Sequence, residues 1–150
     1  MAAPAGIYLG NNVGLKINSI DITAYVSSIT LTQTFDELDV TTMQNTSHVM
    51  AKGLESGTLQ VNFLNDWSAS SVCATLQAAY GTTVTAVMIA VKASTGTTTA
   101  SATNPIYTVS LLINNLTPLG TGGPGDITQS SITWTCNSSI VQTTSGTFAA

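Results

Sequence analysis

Three carboxylates fall within four positions of the stretch TFDELDVTTM (residues 34–43). Asp36, Glu37 and Asp39 are three of the seven acidic residues in the whole chain. Carboxylates this close can share a proton as general acid and base, or hold a hard cation such as Ca²⁺ or Mg²⁺. The spacing argues against both. DELD lacks the glycine-interrupted ligand pattern of a Ca²⁺ loop, and Asp66 or Asp126 could join only through the fold. Two readings stay open: a solvated acidic loop, or an electrostatic surface that works by repulsion or hydration within an assembly.

The other reactive side chains are few. His48 is the only histidine, and it lies in a polar stretch without the strand-to-helix elbow that presents a nucleophile. One histidine and two distant cysteines, Cys73 and Cys136, do not make a zinc site. Two cysteines are also too few for a disulfide framework; two buried thiols are expected, with a single bridge as the alternative. The glycine-rich GTGGPGD (residues 120–126) lacks the Lys and Ser/Thr of a phosphate loop and reads as a turn. Trp67 and Trp134 sit where core packing accounts for them. The residues therefore point to a protein with no catalytic, cofactor-binding or metal site.

Composition narrows the class. The 150 residues suit one domain with a proper core. Hydrophobic residues make up 43%, but charged ones only 7%, against about 25% in ordinary domains. There are three lysines, no arginine and a net charge of −4. Lys16, Lys52 and Lys92 are scattered, so the clustered cations that grip nucleic-acid phosphates are missing. Polarity comes instead from 26 Thr and 16 Ser. Thr, Val and Ile suit the pleated surface of strands. So little charge gives weak protection against self-association, which a subunit built to assemble tolerates. MAAPAGIYLGNNVG lacks the basic start and long apolar run of a secretory leader. The longest apolar run, AVMIAV (residues 86–91), is strand-sized, so no membrane insertion is expected.

The elements that would position these residues are mostly strands. Residues 1–12 read as an arm. Val13, Leu15 and Ile17 alternate, Asn18–Ser19 turns, and Ile20 and Ile22 return: a hairpin. In SSITLTQTF, Ile29, Leu31, Gln33 and Phe35 face one way and the threonines the other. The alternation slips at Leu38 and Val40, which places the acids at a bulge or strand end. QNTSHVMAKGLESG (residues 44–57) reads as loop, and GTLQVNFLND as a strand with Leu59, Val61 and Phe63 inward. One helix is expected in DWSASSVCATLQAAYG. Ser68 would be its N-cap, Trp67 would staple onto Val72, and Val72, Leu76 and Tyr80 would share one face up to a Gly81 stop. TVTAVMIAVKA is a strand, residues 94–105 a hairpin loop, and IYTVSLLINNLTPLG a strand. ITQSSITWTCNSSI closes the set, with Ile132, Trp134 and Cys136 on one face. The fold class is mainly β: a sandwich or barrel of about seven strands with one flanking helix. The single domain spans residues 13–140, with a tail at 141–150.

Several segments, in order, resemble the major tail (tail-tube) proteins of long-tailed bacteriophages. ITAYVSSITLTQTFDELDVTTM is similar to the family's early strand and its acid-containing D-x-T-T segment. AKGLESGTLQVNFLNDWSASSVCATL resembles the strand that runs into a small-residue helix. SATNPIYTVSLLINNLTPLGTGGPGDITQSSITW resembles the closing S-A-T-N-P, strand, Gly-rich turn and final strand. The likeness covers roughly residues 20–140. It departs from the pattern at Lys92, where the family often has arginine, and in a longer loop at 94–99.

This resemblance implies a virion protein of the tail, assembled in the host cytoplasm. Its subunits would form hexameric rings, with strands joining across subunits into a continuous inner barrel. Rings would stack through loops and termini, enclose the tape-measure protein, end at a tail terminator and let DNA pass without specific binding. Related folds serve as capsid decoration and head-to-tail joining proteins. From another class, an extracellular adhesin or carbohydrate-binding module would have a similar Thr-rich texture. Within the tube reading, Asp36, Glu37 and Asp39 would lie on a subunit surface, the lumen being one candidate. DNA carries a charge every ~1.7 Å of its axis, so a neutral or acidic wall would let it slide.

Overall fold

The computed structural model describes residues 13–92, 97–120 and 123–149. The arm read at residues 1–12 and the first three residues of the loop read at 94–105 lie outside them. In chain order the elements are β1 (Gly14–Ile17), β2 (Ile20–Asp21), a 3₁₀ turn (Thr23–Tyr25), β3 (Val26–Asp39), β4 (Met50–Leu64), α1 (Val72–Ala79), β5 (Thr83–Ile89), β6 (Thr97–Thr99), β7 (Ile106–Leu112), β8 (Gln129–Thr135), β9 (Val141–Thr143) and β10 (Thr147–Ala149).

These strands make two facing sheets and a ribbon. One sheet has the order β2-β1-β5-β7-β9, the other β3-β4-β8, and β10 pairs with β6; the neighbours are all antiparallel. Period-two alternation puts Leu15, Ile17, Ala86, Val109 and Leu111 of the first sheet against Leu59, Val61, Phe63, Ile132 and Trp134 of the second, all buried. Val72, Cys73, Leu76 and Ala79 of α1 join the same core. The fold is thus a mainly β sandwich with one helix. The sheets meet along one side, where Leu111 bridges Cys136 and Asn137 N–H donates to Ser110 O at 2.7 Å. Trp134 is fully buried, and its indole N–H donates to Asn115 O at 3.1 Å, so its one polar atom is satisfied. The β1–β2 hairpin turns on Asn18 and Ser19, with φ of 52° and 67°, the left-handed pair that a two-residue hairpin loop requires.

The helix begins later than the sequence pattern implies. Its N-cap is Ser71, three residues beyond Ser68. Asp66 takes over the approach: its carboxylate accepts the Ser68 N–H at 2.7 Å, and its carbonyl accepts the Ser71 hydroxyl at 2.6 Å and the Cys73 N–H at 3.1 Å. The hydrogen bonds from Ser68 hold the Asp66 carboxyl below the usual carboxylate range. With the start displaced, Trp67 loses the staple position and is 52% exposed; Tyr80 becomes the C-cap and is exposed too. Core packing does not account for Trp67. Gly81 does end the helix at φ 79°.

Two stretches carry strands that the sequence pattern did not indicate. Residues 97–99, read as loop, and 141–149, read as a tail, supply β6, β9 and β10. Phe148 of β10 is buried against Ile89, Ala100 and Ile106 in a second small core. The tail is therefore part of the packed structure. The third difference is larger. Residues 50–57, read as loop, belong to β4, which runs fifteen residues from Met50.

Candidate assembly surface

Strands β3 and β4 are about twice as long as any strand of the facing sheet. The first half of β3 and the second half of β4 lie on the core. Beyond Phe35 and Glu55 they continue as a two-stranded arm that ends in residues 40–49. Glu55 anchors the base: its carboxylate accepts the Ile140 N–H at 3.2 Å and the Gln33 side-chain N–H at 3.5 Å. At the tip, Asn45 Oδ1 accepts both the N–H and the hydroxyl of Thr42, at 2.7 and 2.8 Å, a local turn that reverses the chain. Met43 on that turn is fully exposed.

A bulge sits where the alternation slips in sequence. Phe35 pairs with Glu55 but Glu37 pairs with Lys52, so β4 carries one extra residue opposite Asp36. Gly53 makes this fit: a Cβ there would meet the Asp36 carbonyl oxygen at 2.8 Å. The bulge lies on β4, so β3 keeps its alternation. Phe35, Glu37 and Asp39 therefore share the arm's core-side face, and Asp36, Leu38 and Val40 share the opposite one.

The three acids are all exposed, but they do not form one cluster. Glu37 and Asp39 stand on the charged face with Lys52, whose ammonium lies 5.5 Å from the Phe35 ring centre. Asp36 stands on the other. There Leu38 pairs with Ala51, the Val40 N–H donates to Val49 O at 2.9 Å, and Leu54 projects from the bulge. Leu38 is 53% exposed and Leu54 81%, with Val40 and Val49 also exposed. This apolar strip is covered by no described residue. A contiguous exposed apolar patch is what a protein–protein contact needs.

The tip brings together one pair that lies nine residues apart in sequence. His48 Nδ1 is 3.7 Å from Asp39 Oδ2. Hydrogen bonds from the Thr41 hydroxyl and N–H hold the Asp39 carboxyl below its ordinary range, with His48 adding to them. The pair is open to water, with His48 85% exposed. The Thr41 hydroxyl also accepts the Val49 N–H, so its partners are tied up in the turn. No described hydroxyl or thiol is hydrogen-bonded to His48. Among the described residues, no three His, Cys, Asp or Glu side chains come together as a cation site.

The sheet that carries the arm has a distinct outer face. Across β3, β4 and β8 the paired rows read Ser28–Asn62–Ser131, Thr30–Gln60–Thr133, Thr32–Thr58–Thr135 and Thr34–Ser56. The side chains link laterally, with Thr34 Oγ1 and Ser56 Oγ 2.9 Å apart and Asn62 Nδ2 donating to Ser28 Oγ at 2.6 Å. These rows hold hydroxyls and amides and no charge. Apart from the amides Asn62 and Gln60, their side chains are those of Ser and Thr, a pattern visible in the sequence once β4 is paired with both neighbours. The sheet also has an open edge, since no described strand pairs with the outer side of β3.

Cys73 and Cys136 are both free thiols. Burial raises both above the ordinary thiol range, and the nearby Glu55 carboxylate raises Cys136 further. Lys92 donates to Asp21 Oδ2 at 2.6 Å in a mostly buried ion pair that fastens the β1–β2 hairpin to the end of β5. No described helix is long and apolar enough to cross a membrane. No protein-family model matches the chain, and comparison with curated proteins finds no match.

Proposed function

We propose that this chain is a bacteriophage virion structural protein, the subunit of a tail tube that polymerises into stacked rings. The observation that carries the reading is the arm: fourteen- and fifteen-residue strands projecting an exposed apolar strip beyond the core. Such a strip has no role in a free monomer and suits a contact between copies. Sheet edges join neighbours within a ring, because edge-to-edge pairing satisfies the N–H and C=O groups that β3 leaves open. A ring is a closed head-to-tail assembly, and the arm reaches from one ring to the next. The uncharged hydroxyl face lines the lumen, which encloses a tape-measure protein and later conducts DNA. In this arrangement only Asp36 shares the lumen side of β3; Glu37 and Asp39 turn away from it.

The chain performs no bond-making chemistry in this reading, and His48 with Asp39 serves the tip of the arm. Negative-stain microscopy of the purified protein tests it. Rings or tubes with a central hole are expected. Particles that bind capsids without forming tubes would instead make the chain a decoration or joining protein. A dispersed monomer that binds glycans, or a turnover abolished by His48→Ala, would overturn the structural reading altogether.

A further inference from the structure

A second exposed apolar patch lies at the far end of the sandwich from the arm. β4 carries the chain there, from Met50 on the arm to Leu64. Three segments are tied together at that end. The Asn65 N–H donates to Thr128 O at 3.0 Å, and Asn65 Oδ1 accepts the Ser130 hydroxyl at 2.9 Å. Gly120 packs against the same place: a Cβ there would lie 3.5 Å from Gln129 O and 3.8 Å from Asn65 Nδ2. Four large side chains flank these contacts in sequence, Leu64 and Trp67 beside Asn65, Ile127 beside Thr128, and Leu119 beside Gly120. Ile127 is 72% exposed and Leu119 81%, and Leu64 and Trp67 are exposed as well. None of the four joins either hydrophobic core. Scattered exposed apolar residues are ordinary, but a group gathered in one place marks a contact surface.

We propose that this patch receives the arm of a second copy, whose strip of Leu38, Val40, Val49 and Leu54 lies on it head to tail. The inference rests on the reading that copies join through the arm, and it names the surface the arm meets. Three observations select that occupant. The chain's own arm cannot reach the patch, because ten residue steps of β4 separate Leu54 from Leu64, roughly 33 Å of extended strand. Charge disfavours a second patch. Asp66 and Asp126 flank the apolar group, and neither pairs with a described cation, so two patches face to face would oppose four carboxylates. The arm does carry cations: Lys52, which makes no ion pair among the described residues, and His48 when protonated. The third observation is position. Strip and patch lie at opposite ends of the same strand, so a copy displaced along the strand direction brings its arm to the patch, and repeating the step covers every strip and every patch but the last. Arm against arm would instead set Asp36 against its equal and leave the patches bare.

Cross-linking in the full chain tests it. Ala51→Cys on the strip face and Thr128→Cys beside the patch spare every apolar side chain of both surfaces. Unlabelled and ¹⁵N-labelled copies of the double variant are assembled together and treated with a flexible bismaleimide, and the linked peptides are weighed. A 51–128 link that includes mixed isotope content, formed between copies, is expected. Tubes that give only 51–51 or 128–128 links, or no 51–128 link, would overturn this inference and leave the tube reading standing. An unsubstituted chain that never assembles would overturn both. Trp67→Ser with Ile127→Ser supplies a second readout. Both side chains are exposed in the single subunit, so its melting temperature should hold. The expected result is loss of stacking, with single rings at concentrations where the unsubstituted chain forms tubes. A variant that melts normally and still forms tubes there would equally overturn the inference.

Discussion

If copies of the chain join through the arm as proposed, replacing Leu38 and Leu54 by threonine should weaken that assembly and leave folding intact. Both stand on the apolar strip of the arm, 53% and 81% exposed in the single subunit. Threonine keeps the preference for strands, so the arm's backbone is retained. Full burial of a leucine contributes ~2 kcal/mol. Scaled by the fraction still exposed, covering Leu38 and Leu54 contributes about 1 and 1.6 kcal/mol, or ~2.6 kcal/mol together. At 1.4 kcal/mol per tenfold change in affinity, the double variant should need roughly 70-fold more protein to assemble. Surface substitutions of this kind leave unfolding free energy within about 0.5 kcal/mol, so the melting temperature of the single subunit should hold. Sedimentation velocity over a concentration series reads the first quantity and calorimetry the second. An assembly threshold that moves less than about fivefold would refute the contact, since the full ~2.6 kcal/mol depends on burying both side chains. A large fall in melting temperature would refute the premise that they are free in the subunit.

Other perturbations probe the fold around that surface. Gly53→Ala should break the bulge, because its Cβ would press on the Asp36 carbonyl; a local loss of about 1–3 kcal/mol would appear as faster amide exchange in residues 36–54 with the core unchanged. Phe148→Ala should cost about 3–5 kcal/mol and lower the melting temperature by roughly 10 °C, whereas an unchanged melt would mean that β10 is dispensable. Asp21→Asn removes the partner of Lys92. Burial raises the Asp21 pKa, but hydrogen bonds from Lys92 and Thr23 outweigh it and the net shift is downward from 3.8. A depressed carboxyl contributes stability above its unfolded pKa and loses it as pH falls through the folded one. The variant should therefore be about 1–3 kcal/mol less stable at pH 7, with the gap closing below pH ~4. A gap that persisted unchanged at pH 2, in urea titrations, would contradict the ion pair.

Much of the sandwich was legible because its signals are local. Leu59, Val61 and Phe63 alternate cleanly and are buried; Asn18–Ser19 sits between two alternating runs and turns. The slip after Phe35 lies beside the bulge without being caused by it: the bulge is on β4, and the slip marks where the solvent face of β3 turns apolar at Leu38 and Val40. The arm's second strand was not legible. From Met50 to Glu55 both faces of the ribbon are open, so no buried row imposes a pattern, and Gly53 and Gly57 look like breakers. Each glycine is there for close approach: a Cβ on Gly57 would meet the Thr32 carbonyl oxygen and the Ile140 side chain, both at 2.9 Å. The three-residue strands β6, β9 and β10 are too short to carry a period. Trp67 misled because a large aromatic suggests a core, while the turn built on Asp66 holds it outside. The division of the acids between two faces became visible only with the register of β3, and the approach of His48 to Asp39 only with the hairpin's tip.

The arm also has no core of its own. A lone two-stranded ribbon is marginal in water, so beyond Phe35 the hairpin is held by its backbone ladder, the Thr42–Asn45 turn and little else. It should open as a cooperative unit separate from the sandwich, at a free energy well below that of global unfolding. A neighbour that covers Leu38 and Leu54 would close that unit, so part of each contact's strength goes into ordering the ribbon. If copies join through the arm as proposed, the free chain would assemble hesitantly: early, sparse contacts would gain little, and later ones that meet an already ordered arm would gain more.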